Sequence, residues 1–276
     1  MDALSTPAGR DDTPSIAGEN QVATRVILLG ASNLTIAFPM VLESLSRGLP
    51  GPLEMYTAHG HGRSYGVWSR VLFRALPAIT RCELWNDLAR AERPARATLG
   101  LVTDIGNDLL YGSSPARIEQ WVAECLTRLG AYGTDTVLTL LPLASIERLS
   151  ALRYQMTRMI FFPGRGLTWA DMLARARELN ERLATVGQEH GVRVVEQPLE
   201  WFGFDPIHIR LTRRQIAWQR VFSHWSGYDT TATSRPTLQR RWQSLTLRPA
   251  ERRLLGRSRR TPQPTLNLPQ TTVHVY

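Results

Sequence analysis

The stretch "RVILLGASNLT", residues 25–35, decides the fold. It opens with a short, β-branched apolar run that ends in Gly30, which is typical of a buried strand. From Thr35 to Gly48, apolar residues recur at helical spacing, and a glycine ends the predicted helix. A buried strand that turns directly into an amphipathic helix is the repeating unit of a parallel sheet covered by helices. The stretch therefore predicts an α/β protein.

The same unit recurs along the chain. Further strands are predicted over residues 53–58, 97–105, 134–142 and 192–198. Helices are predicted over residues 65–77 and 114–130, from Thr168 with a capping box to Asp171, and from Thr212 with a capping box to Gln215. Strand and helix alternate five times, which predicts a three-layer α/β sandwich with a central, parallel, five-stranded sheet.

The chain is predicted to have three parts. Residues 1–24 are polar, with proline, glycine and four acids, and we expect them to be disordered. Residues 25–228 hold the α/β domain. Residues 229–276 form a basic, Pro/Arg-rich tail that is also expected to be disordered.

Positive charge is concentrated in that tail. The chain has 33 arginines and no lysine, and nine of the arginines fall within residues 235–260, where only Glu251 opposes them. The remaining 24 arginines face 23 acids, so the folded body is close to neutral. A tail of this kind is either a solvated extension or a binding site for nucleic acid or another acidic surface.

Composition excludes several other classes. No run of about 18 apolar residues occurs, so no membrane span is expected. The N-terminus lacks the basic start and apolar core of a signal peptide, so a cytoplasmic location is expected. Cys82 and Cys125 match no metal-binding spacing and are interpreted as reduced thiols. His59 and His61 have no obvious third ligand, so neither a metal nor a cofactor is predicted.

Polar residues follow four of the predicted strands, where the carboxyl ends of parallel strands share one edge of the sheet. Acyl transfer needs a nucleophile, a base, a group that orients the base, and donors for the oxyanion. Ser32 can be the nucleophile and His208 the base, with Asp205 three residues earlier to orient its ring. Asn107 offers a side-chain amide donor, and Gly62 offers an unobstructed backbone N–H.

These residues lie in blocks that resemble the SGNH, or GDSL, hydrolase family: "LLGASNLT", "HGHGRS", "IGND" and "DPIH", in the family's order over about residues 25–226. The resemblance implies a flavodoxin-like fold and an esterase without a cofactor that cleaves a small-molecule, glycan or lipid ester. It further implies that Ser32, His208 and Asp205 form the triad, and that the N–H groups of Ser32 and Gly62 and the side chain of Asn107 hold the oxyanion.

Two alternatives remain open on the residues alone. "GRSYG", residues 62–66, fits the G-x-S-x-G nucleophile elbow of α/β-hydrolases, with Ser64 as nucleophile, although it does not follow its strand directly. The chain could also be a non-catalytic acyl- or carbohydrate-binding module, because Ala31 stands where the family usually has aspartate. The apolar segment 143–166 is interpreted either as a packed helical hairpin or as a lid beside the site.

Overall fold

A computed structural model describes residues 22–91, 94–150, 168–232 and 235–276 of the chain. Its strands are β1 Thr24–Leu29, β2 Leu53–Ala58, β3 Ser69–Val71, β4 Arg74–Leu76, β5 Ala97–Val102, β6 Asp135–Thr139, β7 Arg193–Val195, β8 Glu251–Leu254, β9 Arg257–Arg260, β10 Leu266–Leu268 and β11 Thr271–Val275. Its helices are α1 Ser32–Gly48, α2 Leu84–Ala89, α3 Asn107–Leu110, α4 Pro115–Gly130, α5 Leu143–Ile146, α6 Trp169–Glu189, α7 Arg214–Phe222 and α8 Leu238–Thr246.

The main sheet has seven strands in the order β10-β11-β2-β1-β5-β6-β7. All neighbours are parallel except the β10–β11 pair. The five predicted strands are β2, β1, β5, β6 and β7, in the flavodoxin-like spatial order 2-1-3-4-5. The prediction of an α/β sandwich around a parallel sheet is confirmed, and the sheet is two strands wider than predicted.

Two hydrophobic cores flank this sheet because alternate residues of a strand face opposite sides. Val26 and Leu28 of β1 pack into one core with α1 and α7, whereas Ile27 and Leu29 pack into the other with α4 and α6. Helices on both faces therefore cover a sheet that is buried throughout its centre.

Of the two predicted capping boxes, one forms. The Thr168 side chain accepts from the Asp171 N–H, and the Asp171 carboxylate accepts from the Thr168 N–H, at the start of α6. The prediction at Thr212 is wrong: Arg213 occupies the N-cap position of α7 and makes no side-chain capping bond.

The prediction of a helix over residues 65–77 is also wrong. Strands β3 and β4 form a hairpin there, and β4 pairs with β8 in a second, four-stranded sheet of order β3-β4-β8-β9. The apolar residues that suggested a helical face are split between strand positions and the exposed turn at Leu72 and Phe73. The pairing partner lies about 180 residues away along the chain, so local periodicity could not reveal it.

The C-terminal segment is folded, in contrast to the prediction of a disordered tail over 229–276. Strand β11 lies beside β2 in the main sheet, and Val273, Val275 and Tyr276 are buried. Alternation of apolar residues in "TLNLPQTTVHVY" is the pattern that the arginine-rich composition obscured. The segment thus completes both sheets.

Two other predicted segments lie largely outside the described residues. Residues 1–21 of the segment predicted as disordered lie outside them, and Thr24 already begins β1. Residues 151–166 of the segment 143–166 also lie outside them, and its described start holds the short helix α5. Within the described residues, no helix is long and apolar enough to cross a membrane.

Candidate active site

Ser32, His208 and Asp205 form a chain of hydrogen bonds at the carboxyl edge of the main sheet. The Ser32 Oγ lies 2.9 Å from Nε2 of His208, and Nδ1 of His208 lies 2.6 Å from Oδ2 of Asp205. Asp205 also accepts from the backbone N–H groups of Ile207 and His208, each at 3.1 Å, so its carboxylate closes the turn that carries the histidine. A serine, an imidazole and a carboxylate are thereby aligned in the geometry that nucleophilic catalysis by a serine requires.

The electrostatics of the site favour the charged pair. Burial by itself would lower the pKa of His208, but the hydrogen bond and charge of Asp205, with the charge of Asp104, outweigh burial and raise it. Burial would raise the pKa of Asp205, but hydrogen bonds from His208 and from backbone N–H groups outweigh it and lower that pKa. An imidazolium formed during proton transfer would therefore be stabilised where it arises.

Asn33 fastens the histidine loop to the serine turn, a role that was missed in the sequence. Its Nδ2 donates to the carbonyl of Ile207 at 2.8 Å, and its Oδ1 accepts from the N–H of Ile209 at 2.9 Å. These two bonds hold the backbone on both sides of His208. The signal available in the sequence was only that an asparagine follows the candidate nucleophile.

Asp104 supports the same turn and was also missed. One of its carboxylate oxygens accepts from the N–H groups of Ala31 and Leu34, at 3.0 and 3.1 Å, and the other accepts from Asn33 Nδ2 at 2.9 Å. A carboxylate at the start of α1 is favourably placed against the helix dipole. Asp104 thus supplies, from the end of β5, a carboxylate to the turn in which Ala31 precedes Ser32.

The loop that carries Gly62 contacts the segment that carries Asn107. The Asn107 Nδ2 donates to the carbonyl of Arg63 at 3.3 Å, and Tyr111 donates to the carbonyl of Gly62 at 2.7 Å. Gly62 has φ +64°, and a Cβ there would lie 2.7 Å from Cγ2 of Val71. Any side chain at this position would be strained and would clash with β3, so glycine is required.

Arg63 connects this loop to the C-terminal strand. Its side chain is fully buried, and its Nη1 donates to the backbone carbonyls of His59 and Tyr276. A buried guanidinium is costly unless it is paired, so these contacts bind the loop and the last residue of the chain to each other. The C-terminal segment, which was expected to be disordered, therefore touches the residue next to Gly62.

Ser64 does not occupy a nucleophile elbow. It is fully buried, donates to Asp108, and its Oγ accepts from the N–H groups of Gly66 and Val67, at 3.1 and 2.9 Å. Burial raises the pKa of Asp108 to about 6, against hydrogen bonds from Ser64 and from backbone N–H groups that lower it. The contacts of Ser64 are those of a loop-stabilising residue, and the alternative that used it as nucleophile is wrong on its burial.

His59, one of the two histidines of the glycine-rich loop, contacts two side chains through its ring. Nδ1 of His59 lies 2.8 Å from the Thr57 hydroxyl, and its ring stacks on Phe38 at 4.6 Å. Burial, with the charges of Arg63 and Arg74, lowers the pKa of His59 to about 3. Among the described residues, no group of three or more possible ligands is arranged to hold a metal ion.

A cavity of about 430 Å³ lies beside the histidine loop. Its walls include Arg148 and Leu149 at the described start of the segment 143–166, together with Phe202, Pro206 and Arg210. Pro206 belongs to the Asp205–His208 turn, whereas Ser32 is not part of the lining. The cavity therefore adjoins the site from the side of the base.

No family model and no curated protein matches the chain. Several solved structures are similar to it. The psychrotrophic esterase EstA from Pseudoalteromonas sp. is 11% identical, covering 72% of this chain and 95% of its own, with a TM-score of 0.43. An inhibitor-bound aryl esterase of M. smegmatis is 13% identical, covering 73% and 100%, with a TM-score of 0.47. AlinE4, described as an SGNH-hydrolase family esterase, is 16% identical, covering 72% and 92%, with a TM-score of 0.39. Similarity at this level is not evidence of activity, so only the side chains of the site bear on what the chain does.

Proposed function

We propose that the chain is a serine hydrolase of the SGNH type that cleaves carboxylic esters, with Ser32 as nucleophile. The observation that carries the proposal is the hydrogen-bond chain from Ser32 through His208 to Asp205, at 2.9 and 2.6 Å. Both distances lie within the reach needed for proton transfer, and the carboxylate contacts the ring nitrogen that does not face the serine.

In the acylation step, Ser32 Oγ attacks the ester carbonyl as its proton passes to Nε2 of His208. Asp205 holds the other ring nitrogen as a donor and stabilises the imidazolium. The tetrahedral intermediate collapses when His208 returns that proton to the departing alcohol, which leaves an acyl group on Ser32.

In the deacylation step, a water molecule replaces the alcohol. His208 takes a proton from the water as it attacks the acyl carbonyl, and then gives the proton back to Ser32 Oγ. A carboxylic acid leaves, and the enzyme returns to its starting state with atoms and charge balanced.

The oxyanion formed in each step would lie between the N–H groups of Ser32 and Gly62 and the side chain of Asn107. Two features support this role. Ser32 begins α1, so its backbone lies at the positive end of a helix dipole. Asn107 donates to the carbonyl of Arg63, the residue next to Gly62, so two of the proposed donors come from segments in contact.

A fluorophosphonate probe and a panel of chromogenic acyl esters test the proposal. We expect the probe to label Ser32, and Ser32→Ala to lose both labelling and hydrolysis. Ser114→Ala is the matched control, because Ser114 also lies at a helix N-terminus, where it caps α4 away from the site. Labelling that persists in Ser32→Ala, or a wild-type protein that hydrolyses no ester and takes no label, would refute the proposal.

A further inference from the structure

The tips of two β-hairpins form an exposed apolar patch on the second sheet, which we call the hairpin surface. It consists of the turn residues Leu72 and Phe73 after β3 and the residues Leu254 and Leu255 at the end of β8. Leu72 is 83% exposed, Phe73 69%, Leu254 43% and Leu255 72%. Strand β4 pairs with β8, and the Leu255 N–H donates to the Phe73 carbonyl at 2.9 Å, so both tips lie at one end of the sheet.

The backbone at both tips is strained in a way that favours another residue type. Leu72 has φ +52° and Leu255 has φ +50°. Hairpin turns usually place glycine, asparagine or aspartate in this left-handed region, because a leucine side chain is disfavoured there. Asparagine at both positions would make the fold more stable than leucine does, so the exposed leucines indicate a contact with a partner outside the protein.

The sheet that carries the two tips is rich in arginine, and Arg260, at the end away from the turn, forms an ion pair with Glu83. The four strands and their turns carry seven arginines, at positions 70, 74, 252, 253, 257, 259 and 260, against the single acid Glu251. Glu251 pairs in register with Arg260, at the end of the hairpin away from its turn. The guanidinium of Arg253 stacks over the ring of Trp68 at 4.3 Å, and both side chains are exposed.

We propose that the hairpin surface docks onto an anionic lipid surface. The four apolar side chains would enter the interface, and the arginines would lie at the level of the phosphates, as in other peripheral sites that combine inserted apolar residues with cations. Arginine alone would also suit a nucleic acid, but exposed leucine at a strained turn adds nothing to phosphate or base recognition. The combination favours lipid.

The same sheet borders the candidate active site. Its inner face places Val71 against Gly62, and Arg74 lies close enough to His61 to lower the pKa of that histidine after burial has lowered it. A protein docked by the hairpin surface would thus bring the loop of His61 and Gly62 close to the lipid. This step rests on the proposed function, and it names the substrate class as esters that reside in an anionic lipid surface.

The binding test uses full-length Ser32→Ala protein, so that catalysis neither consumes the vesicles nor decides the result. Sedimentation is measured with vesicles of phosphatidylglycerol in phosphatidylcholine and with phosphatidylcholine alone. We expect binding to the anionic vesicles only, weakened by salt. Adding Leu72→Asn and Leu255→Asn should lower the affinity by about tenfold for each leucine, while the melting temperature stays the same or rises because asparagine suits the turns.

Leu238→Asn is the matched control, since Leu238 is 75% exposed and lies in the same arginine-rich segment but on α8. Equal binding to neutral vesicles, or full binding by the hairpin double variant, would overturn the proposal. So would loss of binding in Leu238→Asn alone, which would assign the contact to α8. Binding of an RNA oligonucleotide without binding of vesicles would assign the arginines to nucleic acid and likewise overturn it. Turnover of a soluble ester by the wild-type protein tests the hydrolase proposal separately.

Discussion

Replacing Asp104 with asparagine should weaken the site without reshaping it. Asparagine tolerates the left-handed backbone that Asp104 adopts at φ +59°, so the loop can keep its path. Its single side-chain oxygen can accept either from the N–H groups of Ala31 and Leu34 or from Asn33, but not from all three. If the oxygen keeps the two backbone N–H groups, the new side-chain N–H₂ faces the N–H₂ of Asn33, which has lost Asp104 as an acceptor.

The cost follows from those contacts. A hydrogen bond to a charged group contributes about 1.5–3 kcal/mol, and a carboxylate at a helix N-terminus adds about 0.3–1 kcal/mol. Because Asp104 is only partly buried, we take the lower half of the range for the hydrogen bond and add the contribution of the helix N-terminus. The expected loss in the free energy of unfolding is about 2–3 kcal/mol.

The pH dependence separates a positioning role from a general loss of stability. His208 must be neutral to act as base, so kcat/KM should rise as pH passes its pKa. The charge of Asp104 helps to raise that pKa, so Asp104→Asn should move the acid limb of the profile to lower pH and lower kcat at its plateau.

Asp171→Asn is the control, because Asp171 is also a carboxylate in the first turn of a helix, α6, where it bonds to Thr168. We expect it to cost about 1 kcal/mol and to leave the pH profile in place. A folded Asp104→Asn protein with wild-type kcat and an unshifted acid limb would refute the reasoning.

Four further predictions concern the same site. Asn107→Ala should lower kcat by about 10²–10³ with little change in KM; an unchanged kcat in a folded variant would remove it from the oxyanion site. The wild-type profile of kcat/KM should rise through an apparent pKa above the ordinary histidine value of about 6.5, since the pKa of His208 is raised, and a midpoint below that value would contradict the assignment. Ser64→Ala should lower the melting temperature, because it breaks the contact to Asp108, yet should still be labelled at Ser32 by a fluorophosphonate. Deletion of residues 235–276 should abolish hydrolysis together with cooperative unfolding, because it removes β11 and the Tyr276 contact to Arg63; a folded, active truncated protein would show that the segment is dispensable.

Five of the seven strands of the main sheet could be predicted, because each of these five has a local sequence signal. Residues 24–29 and 53–58 are short apolar runs bounded by turn residues, and α4 and α6 begin at recognisable caps. Parallel strands share one functional edge, so Ser32 and His208 could be expected to meet although they lie 176 residues apart.

The second sheet and the folded C-terminal segment could not be predicted in the same way. Residues 69–76 are too short and too mixed to indicate a strand until β8 is there to pair with them. In residues 251–260, five arginines and one serine occupy positions where a strand usually alternates apolar and polar residues, because neither face of that hairpin is fully buried. The second sheet depends on the pairing of β4 with β8, which lie about 180 residues apart, and a local sequence pattern does not reveal such a pairing.

The supports of the site were hidden for a related reason. A catalytic group is chosen for its chemistry, which the residue type reveals, whereas a positioning group is chosen for where its neighbours place donors and acceptors. Asn33 donates to the carbonyl of Ile207, before His208, and accepts from the N–H of Ile209, after it. A polar residue of similar shape on another helix or strand could make the same two bonds. Asp104 demonstrates that freedom, because its carboxylate reaches the serine turn from the end of β5 and accepts from the N–H groups of Ala31 and Leu34. A motif position can therefore change its residue when a spatial neighbour supplies the same atoms, and the geometry of the turn is the better criterion for judging whether the serine is supported.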